Sequence, residues 1–169
     1  MPLACLLGRG DQRLLDMGLR GAQVDPRHTV VLGPRSWEPE EAEFLARMGV
    51  RVICRDEIGE RGLAACLAEV AAIMTAAPCG FGITIDLDAF DPAAAPGVSS
   101  PEPGGLRARE LRGGLQRLAA IPGLRALELA EYNPNRDRDG LTAKLIRNLI
   151  EDMLPQLARD SRSAGARDA

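Results

Sequence analysis

Four short, largely apolar runs, each followed by a segment with helical spacing, constrain this chain more than any other feature. His28-Thr29-Val30-Val31-Leu32-Gly33 reads as a buried strand, and Pro39 to Met48 as a helix that stops at Gly49. Val50 to Cys54 reads as a second strand. Gly62 to Ala76 follows as a helix with Leu63, Leu67, Val70 and Met74 on one face. Phe81 to Leu87 is the third strand, and Ala108 to Ala120 a helix with Leu111, Leu115 and Leu118 on one side. Leu124 to Tyr132 is the fourth strand, and Thr142 to Leu157 a last amphipathic helix. Strands alternating with helices predict an α/β fold, a parallel sheet with helices on both faces in three layers. Residues 1–157 form one domain in this reading, with no internal repeat or linker, and residues 158–169 form a polar, frayed tail.

In such sheets, ligands bind at the carboxyl ends of the strands, and acidic residues gather there. Asp86 and Asp88 close the third strand, Glu131 closes the fourth, and Glu38 and Glu41 sit in the loop and helix start after the first. Side chains alternate along a strand, so Asp86 and Asp88, two apart, are expected on one face. Neighbouring carboxylates repel each other unless a cation lies between them. Hard divalent ions such as Mg²⁺ or Mn²⁺ prefer oxygen ligands of this kind. The plainer alternative is a solvated acid pair at a strand–loop junction.

Composition narrows the function classes. A chain of 169 residues can bury a real core, and 46% hydrophobic with 27% charged residues is ordinary for a soluble globular protein. The net charge of −3, with basic residues dispersed among acidic ones, gives no electrostatic case for nucleic acid. Aromatic residues, at 3%, leave no stacking platform for bases. No apolar run reaches the roughly 18 residues of a membrane span, and the N-terminus lacks a signal-peptide pattern. Cys5, Cys54, Cys66 and Cys79 form no Cys-x-x-Cys pair and read as reduced, mostly buried thiols, so a cytoplasmic protein is expected. His28, the only histidine, begins the first strand and falls at the amino end of the sheet, away from the acids. It reads as an ordinary surface or packing residue.

The longer string from Ile83-Thr84-Ile85-Asp86-Leu87-Asp88-Ala89-Phe90-Asp91-Pro92 through Ala95-Pro96-Gly97 to Pro101-Glu102-Pro103-Gly104-Gly105-Leu106 resembles the second metal-binding signature of the arginase, or ureohydrolase, family. That family also includes agmatinase and formimidoylglutamase. The resemblance implies a binuclear Mn²⁺ centre with Asp86 and Asp88 as ligands, and a structural role for Asp91. Its proline and glycine residues would fix a rigid loop below the metals. Gly33-Pro34-Arg35-Ser36-Trp37-Glu38-Pro39-Glu40-Glu41 is similar to a family segment more typical of arginases than of agmatinases. It implies that Glu38 and Glu41 hold the α-amino group of an amino-acid substrate, with Glu38 standing where the family usually has an aspartate. Acids placed favourably at a helix N-terminus are the plainer alternative for these two. Leu127-Glu128-Leu129-Ala130-Glu131-Tyr132-Asn133-Pro134, with Asp137 and Asp139-Gly140, is similar to the family segment whose glutamate pairs with the substrate guanidinium, which implies that role for Glu131. A planar guanidinium suits a carboxylate held in bidentate geometry.

The resemblance covers nearly all of this chain but only the C-terminal half of the family, for Met1-Pro2-Leu3-Ala4 is similar to a string about halfway along its members. The family's first metal signature, with its histidines, has no counterpart in these residues. The implied function is manganese-dependent hydrolysis of a guanidino C–N bond, arginine to ornithine and urea. Agmatinase-type or formimidoylglutamase hydrolysis is an alternative. Another is a non-catalytic half-domain that works with a partner, either a complementing chain or further copies in a homo-oligomer. An Asp-x-Asp phosphoryl or glycosyl transferase is disfavoured, because no glycine-rich phosphate loop precedes a helix.

Overall fold

The computed structural model describes residues 2–17 and 21–165, with side chains as far as Pro155. Two short helices, α1 (Pro2–Leu6) and α2 (Gln12–Leu15), lead into β1 (Val30–Leu32), α3 (Pro39–Met48) and β2 (Arg51–Ile53). Helices α4 (Arg55–Arg61) and α5 (Leu63–Thr75) follow, then β3 (Phe81–Asp86), α6 (Ala108–Ala119), β4 (Leu124–Ala130) and α7 (Leu141–Gly165). Among the described residues the strands pair two by two, β1 with β2 and β3 with β4, and both pairings are parallel. Each pair is joined through helix, as parallel neighbours require. The strand–helix alternation read from the sequence is therefore present, and the fold is α/β.

Helix α3 shows how locally the sequence dictates its elements. Pro39 occupies the first turn, Glu40 and Glu41 sit at the positive end of the helix dipole, and Arg47 lies in the last turn before Gly49. Strands β1 and β2 have apolar side chains on both faces. Val31 and Val52 pack with Leu7, Leu45 and Val50 on one side, while Val30, Leu32 and Ile53 join the main core on the other. That core also takes Ile85 of β3, Leu124 of β4, the apolar faces of α5 and α6, and Leu145, Leu149 and Met153 of α7. The opposite face of the β3–β4 pair is exposed and carries Gly82, Thr84, Asp86, Ala126 and Glu128. There the Thr84 hydroxyl donates to Glu128 Oε2 at 2.9 Å.

The loop after β3 turns back onto its own start. Phe90 is buried, Leu106 N donates to the Ala89 carbonyl at 2.8 Å, and Asp91 N donates to the Leu106 carbonyl at 3.1 Å. Gly105 makes this possible: a Cβ there would lie 2.3 Å from the carbonyl carbon of Phe90. The Pro-Glu-Pro-Gly-Gly-Leu string is thus a close backbone approach that any side chain would block.

Three expectations differ from the structure. Helix α7 continues past Leu157 to Gly165, because the polar residues between them include no helix breaker, and only residues 166–169 of the expected tail lie outside the described residues. Helices α1, α2 and α4 are additional, each too short to show a repeating apolar face. All four cysteines are free, but only Cys66 is fully buried, and Cys79 is exposed in the Pro78-Cys79-Gly80 turn before β3.

Candidate metal and substrate site

Asp86 is the last residue of β3, paired with Ala130 of β4, and the chain then enters a 3-10 turn over Leu87–Ala89. Asp86 caps that turn, its Oδ1 accepting the Asp88 amide at 3.1 Å. The turn brings the two carboxylates together, which corrects the expectation that they share one strand face. The strand ladder ends at Asp86, and the chain enters the 3-10 turn with Leu87 fully buried, so Asp88 lies on the turn and not on the strand. Asp86 is exposed and Asp88 half-buried. Burial first, and then the Asp86 carboxylate, push the Asp88 carboxyl up to about 6; Glu131 adds to the rise and the Arg35 guanidinium opposes it. A carboxyl crowded this way by its own neighbours gains from any cation placed beside it.

Glu131 follows β4 directly, so the parallel register places it next to the end of β3. Its backbone has φ of 66°, a left-handed conformation that a glutamate seldom adopts. The strand end is held from the next loop, where Asn133 N donates to the Gly97 carbonyl at 2.8 Å. Gly97 N in turn donates to the buried Thr142 hydroxyl at 2.7 Å. A Cβ on Gly97 would lie 2.8 Å from Asp137 Cβ and 2.9 Å from Thr142 Oγ1, so the Ala-Pro-Gly string marks a second close approach. Asp137 caps α7 through the amides of Thr142, at 2.9 Å, and Ala143, at 3.0 Å, and accepts the Tyr132 hydroxyl at 3.2 Å. Burial raises its carboxyl, but those amides more than offset the rise and hold it below the usual carboxylate range. Asp91 turns its own loop, Oδ1 accepting Ala93 N at 3.0 Å.

Arg35 lies between β1 and α3 and reaches across to the turn that carries Asp88. Its Nη1 donates to the Ala89 carbonyl at 2.9 Å and its Nη2 to the Asp88 carbonyl at 2.5 Å. Its Nε is buried without a hydrogen-bond partner among the described residues. In the sequence Arg35 stands out only as part of the segment spanning residues 33–41.

The two remaining predicted acids stand apart. Glu38 occupies the N-cap position of α3, is exposed, and makes no side-chain capping bond. Glu41 is half-buried in the first turn. The structure joins neither by hydrogen bond or ion pair to Asp86, Asp88 or Glu131. His28 ends a 3-10 turn ahead of β1, with Nδ1 3.7 Å from Asp25 Oδ2, and serves local packing.

Among the described residues no three His, Cys, Asp or Glu side chains converge closely enough to enclose a metal ion. Asp86 and Asp88 instead offer two adjacent oxygen ligands, a fit to one side of a hard cation's coordination shell. No helix among the described residues is long and apolar enough to cross a membrane.

Comparison with known proteins gives the family and the fold. The model of the arginase family matches residues 13–155. An arginase of Brevibacillus brevis is 36% identical over 145 residues, covering 86% of this chain and 49% of the relative. A guanidinopropionase of Pseudomonas aeruginosa is 34% identical, covering 89% of this chain and 46% of the relative. The crystal structure of arginase from Bacillus subtilis superposes with a TM-score of 0.86 at 30% identity, covering 91% of this chain and 55% of that one. The chain thus spans about half the length of the relatives it matches.

Proposed function

This chain belongs to the arginase family, and from that premise we propose that it serves manganese-dependent hydrolysis of a guanidino C–N bond, with arginine as substrate and ornithine and urea as products. The observation that carries the reading is the placement of Asp86, Asp88 and Glu131 at or just past the adjoining ends of two parallel strands, with the Asp88 carboxyl raised first by burial and then by the neighbouring acids. When bound, a binuclear Mn²⁺ centre supplies a water of lowered pKa and Lewis-acid polarisation.

The chain's own residues do the holding and aiming. Asp86 and Asp88 present carboxylate oxygens to the cations. Glu131, fixed beside them by the parallel register, pairs with the planar guanidinium and sets its carbon over the metal-bearing turn. Glu38 and Glu41 receive the α-amino group at the far end of the substrate, which separates arginine from agmatine. The remaining metal ligands come from groups other than these, whether elsewhere in the protein, in a complementing chain or in a further copy of this one. Four free cysteines suit a reducing compartment, and the cytoplasm is the proposed site of action.

The test is complementation. Residues 1–169 are co-expressed with the part of the Bacillus subtilis arginase that this chain does not match, and product release is measured with Mn²⁺, urea from the guanidino substrates and formamide from formimidoylglutamate. The expected result is more urea from arginine than from agmatine, lost in Asp88→Ala. Preferential turnover of agmatine or of formimidoylglutamate would reassign the substrate within the family. A stable complex that hydrolyses none of the three would leave a non-catalytic role.

A further inference from the structure

Among the described residues, Arg35 makes the side-chain hydrogen bonds that link the segment after β1, with Glu38 at the end of its loop and Glu41 in the first turn of α3, to the turn that bears Asp88. It spends both Nη groups on main-chain carbonyls, those of Asp88 and Ala89, and touches no carboxylate oxygen. Pairing directly with the crowded acids is the other use its charge could have. Instead its cation lies near Asp88 but bonds neither carboxylate among the described residues, and Asp86 Oδ1 accepts the Asp88 amide. Its Nε is buried with no partner among the described residues, an arrangement that folding alone does not favour. The rigid two-nitrogen fork can hold two consecutive carbonyls at once, so it fixes the peptide between Asp88 and Ala89 and, with it, the direction of the Asp88 side chain.

The geometry points to Arg35 as a positioning residue: it locks the Asp88 turn into the orientation that binds the metal, and ties that turn to the loop that carries Glu38 and Glu41. This rests on the assignment of Asp86 and Asp88 as metal ligands given above. Groups behind a ligand typically change metal affinity about 10- to 100-fold when removed.

Mn²⁺ binding to residues 1–169 tests it, read from the loss of the free-ion EPR signal, with far-UV circular dichroism recording the folded fraction. Four proteins are compared: the parent, Asp88→Asn, Arg35→Met and Arg35→Lys. The expected order of affinity is parent, then Arg35→Lys, then Arg35→Met weakened at least about tenfold, with Asp88→Asn as the floor. Lysine keeps the charge but loses the fork, so its shortfall separates positioning from simple charge. Folded Arg35→Met with parental affinity overturns the proposal while leaving Asp88 a ligand. If Arg35→Met does not fold, parental affinity in Arg35→Lys overturns it equally. A parent no tighter than Asp88→Asn removes the ligand assignment, and the proposal with it.

Discussion

At Glu131 the backbone holds a carboxylate in a conformation that glycine would adopt with less strain. Such a position costs on the order of 1–3 kcal/mol, and strain of this kind concentrates where a side chain must be aimed. Glu131→Gly should therefore keep or raise Tm by a few degrees, while removing the guanidinium contact in the complemented enzyme. Glu131→Ala should keep the strain and lose the same contact. Thermal melts of the two check this, and a lower Tm for glycine than for alanine would show that φ is not the burden here. Asp86, Asp88 and Glu131 could be read from sequence because strand-ending acids are conspicuous by type and place. Arg35 and Thr142 could not. Their partners are the main chain at Asp88, Ala89 and Gly97, far away in sequence, and no residue pattern announces a carbonyl or amide as a partner.

Between elements, the strongest polar join is the ion network of β2, α4 and α5. Arg51 Nε meets Glu69 Oε1 at 2.5 Å, Arg61 Nη2 meets Glu69 Oε2 at 2.6 Å, and Glu57 bridges the same two arginines. Hydrogen bonds from Arg51, and next from Arg61, hold the Glu69 carboxyl down at about 2, against its usual 4.5. Because the folded value is the lower one, the network's stabilisation is full above about pH 4.5 and fades as pH falls toward 2. Glu69→Gln should thus show a Tm deficit at pH 7 that shrinks steadily between those values. A deficit independent of pH would assign the loss to packing. This network also explains why α4 escaped sequence reading. Arg55–Arg61 buries only Ile58, so its helical state depends on tertiary partners and no apolar stripe reveals it. The longer helices bury a periodic face and the strands are continuous apolar or alternating runs, which is why they were legible.

For the whole molecule, two converging carboxylates should bind Mn²⁺ weakly. Millimolar Mn²⁺ should raise the Tm of residues 1–169, and Asp88→Ala should abolish the shift. The same residues alone should release no appreciable urea from arginine, since lowering the pKa of water depends on the cation charge gathered around it. Manganese-dependent urea from residues 1–169 alone, lost in Asp86→Ala, would mean that copies of this chain complete the centre among themselves. The all-parallel pairing has a kinetic consequence as well. Phe81 finds Leu124, and Asp86 finds Ala130, only after the loop at Phe90 to Leu106 and the whole of α6 have been laid down. Loop-closure entropy must be met before any such contact rewards it. The chain is therefore expected to refold more slowly than its helix content suggests. Asp86 and Glu131 become neighbours only when that pairing closes, so their arrangement should be among the last features to form and the first to open.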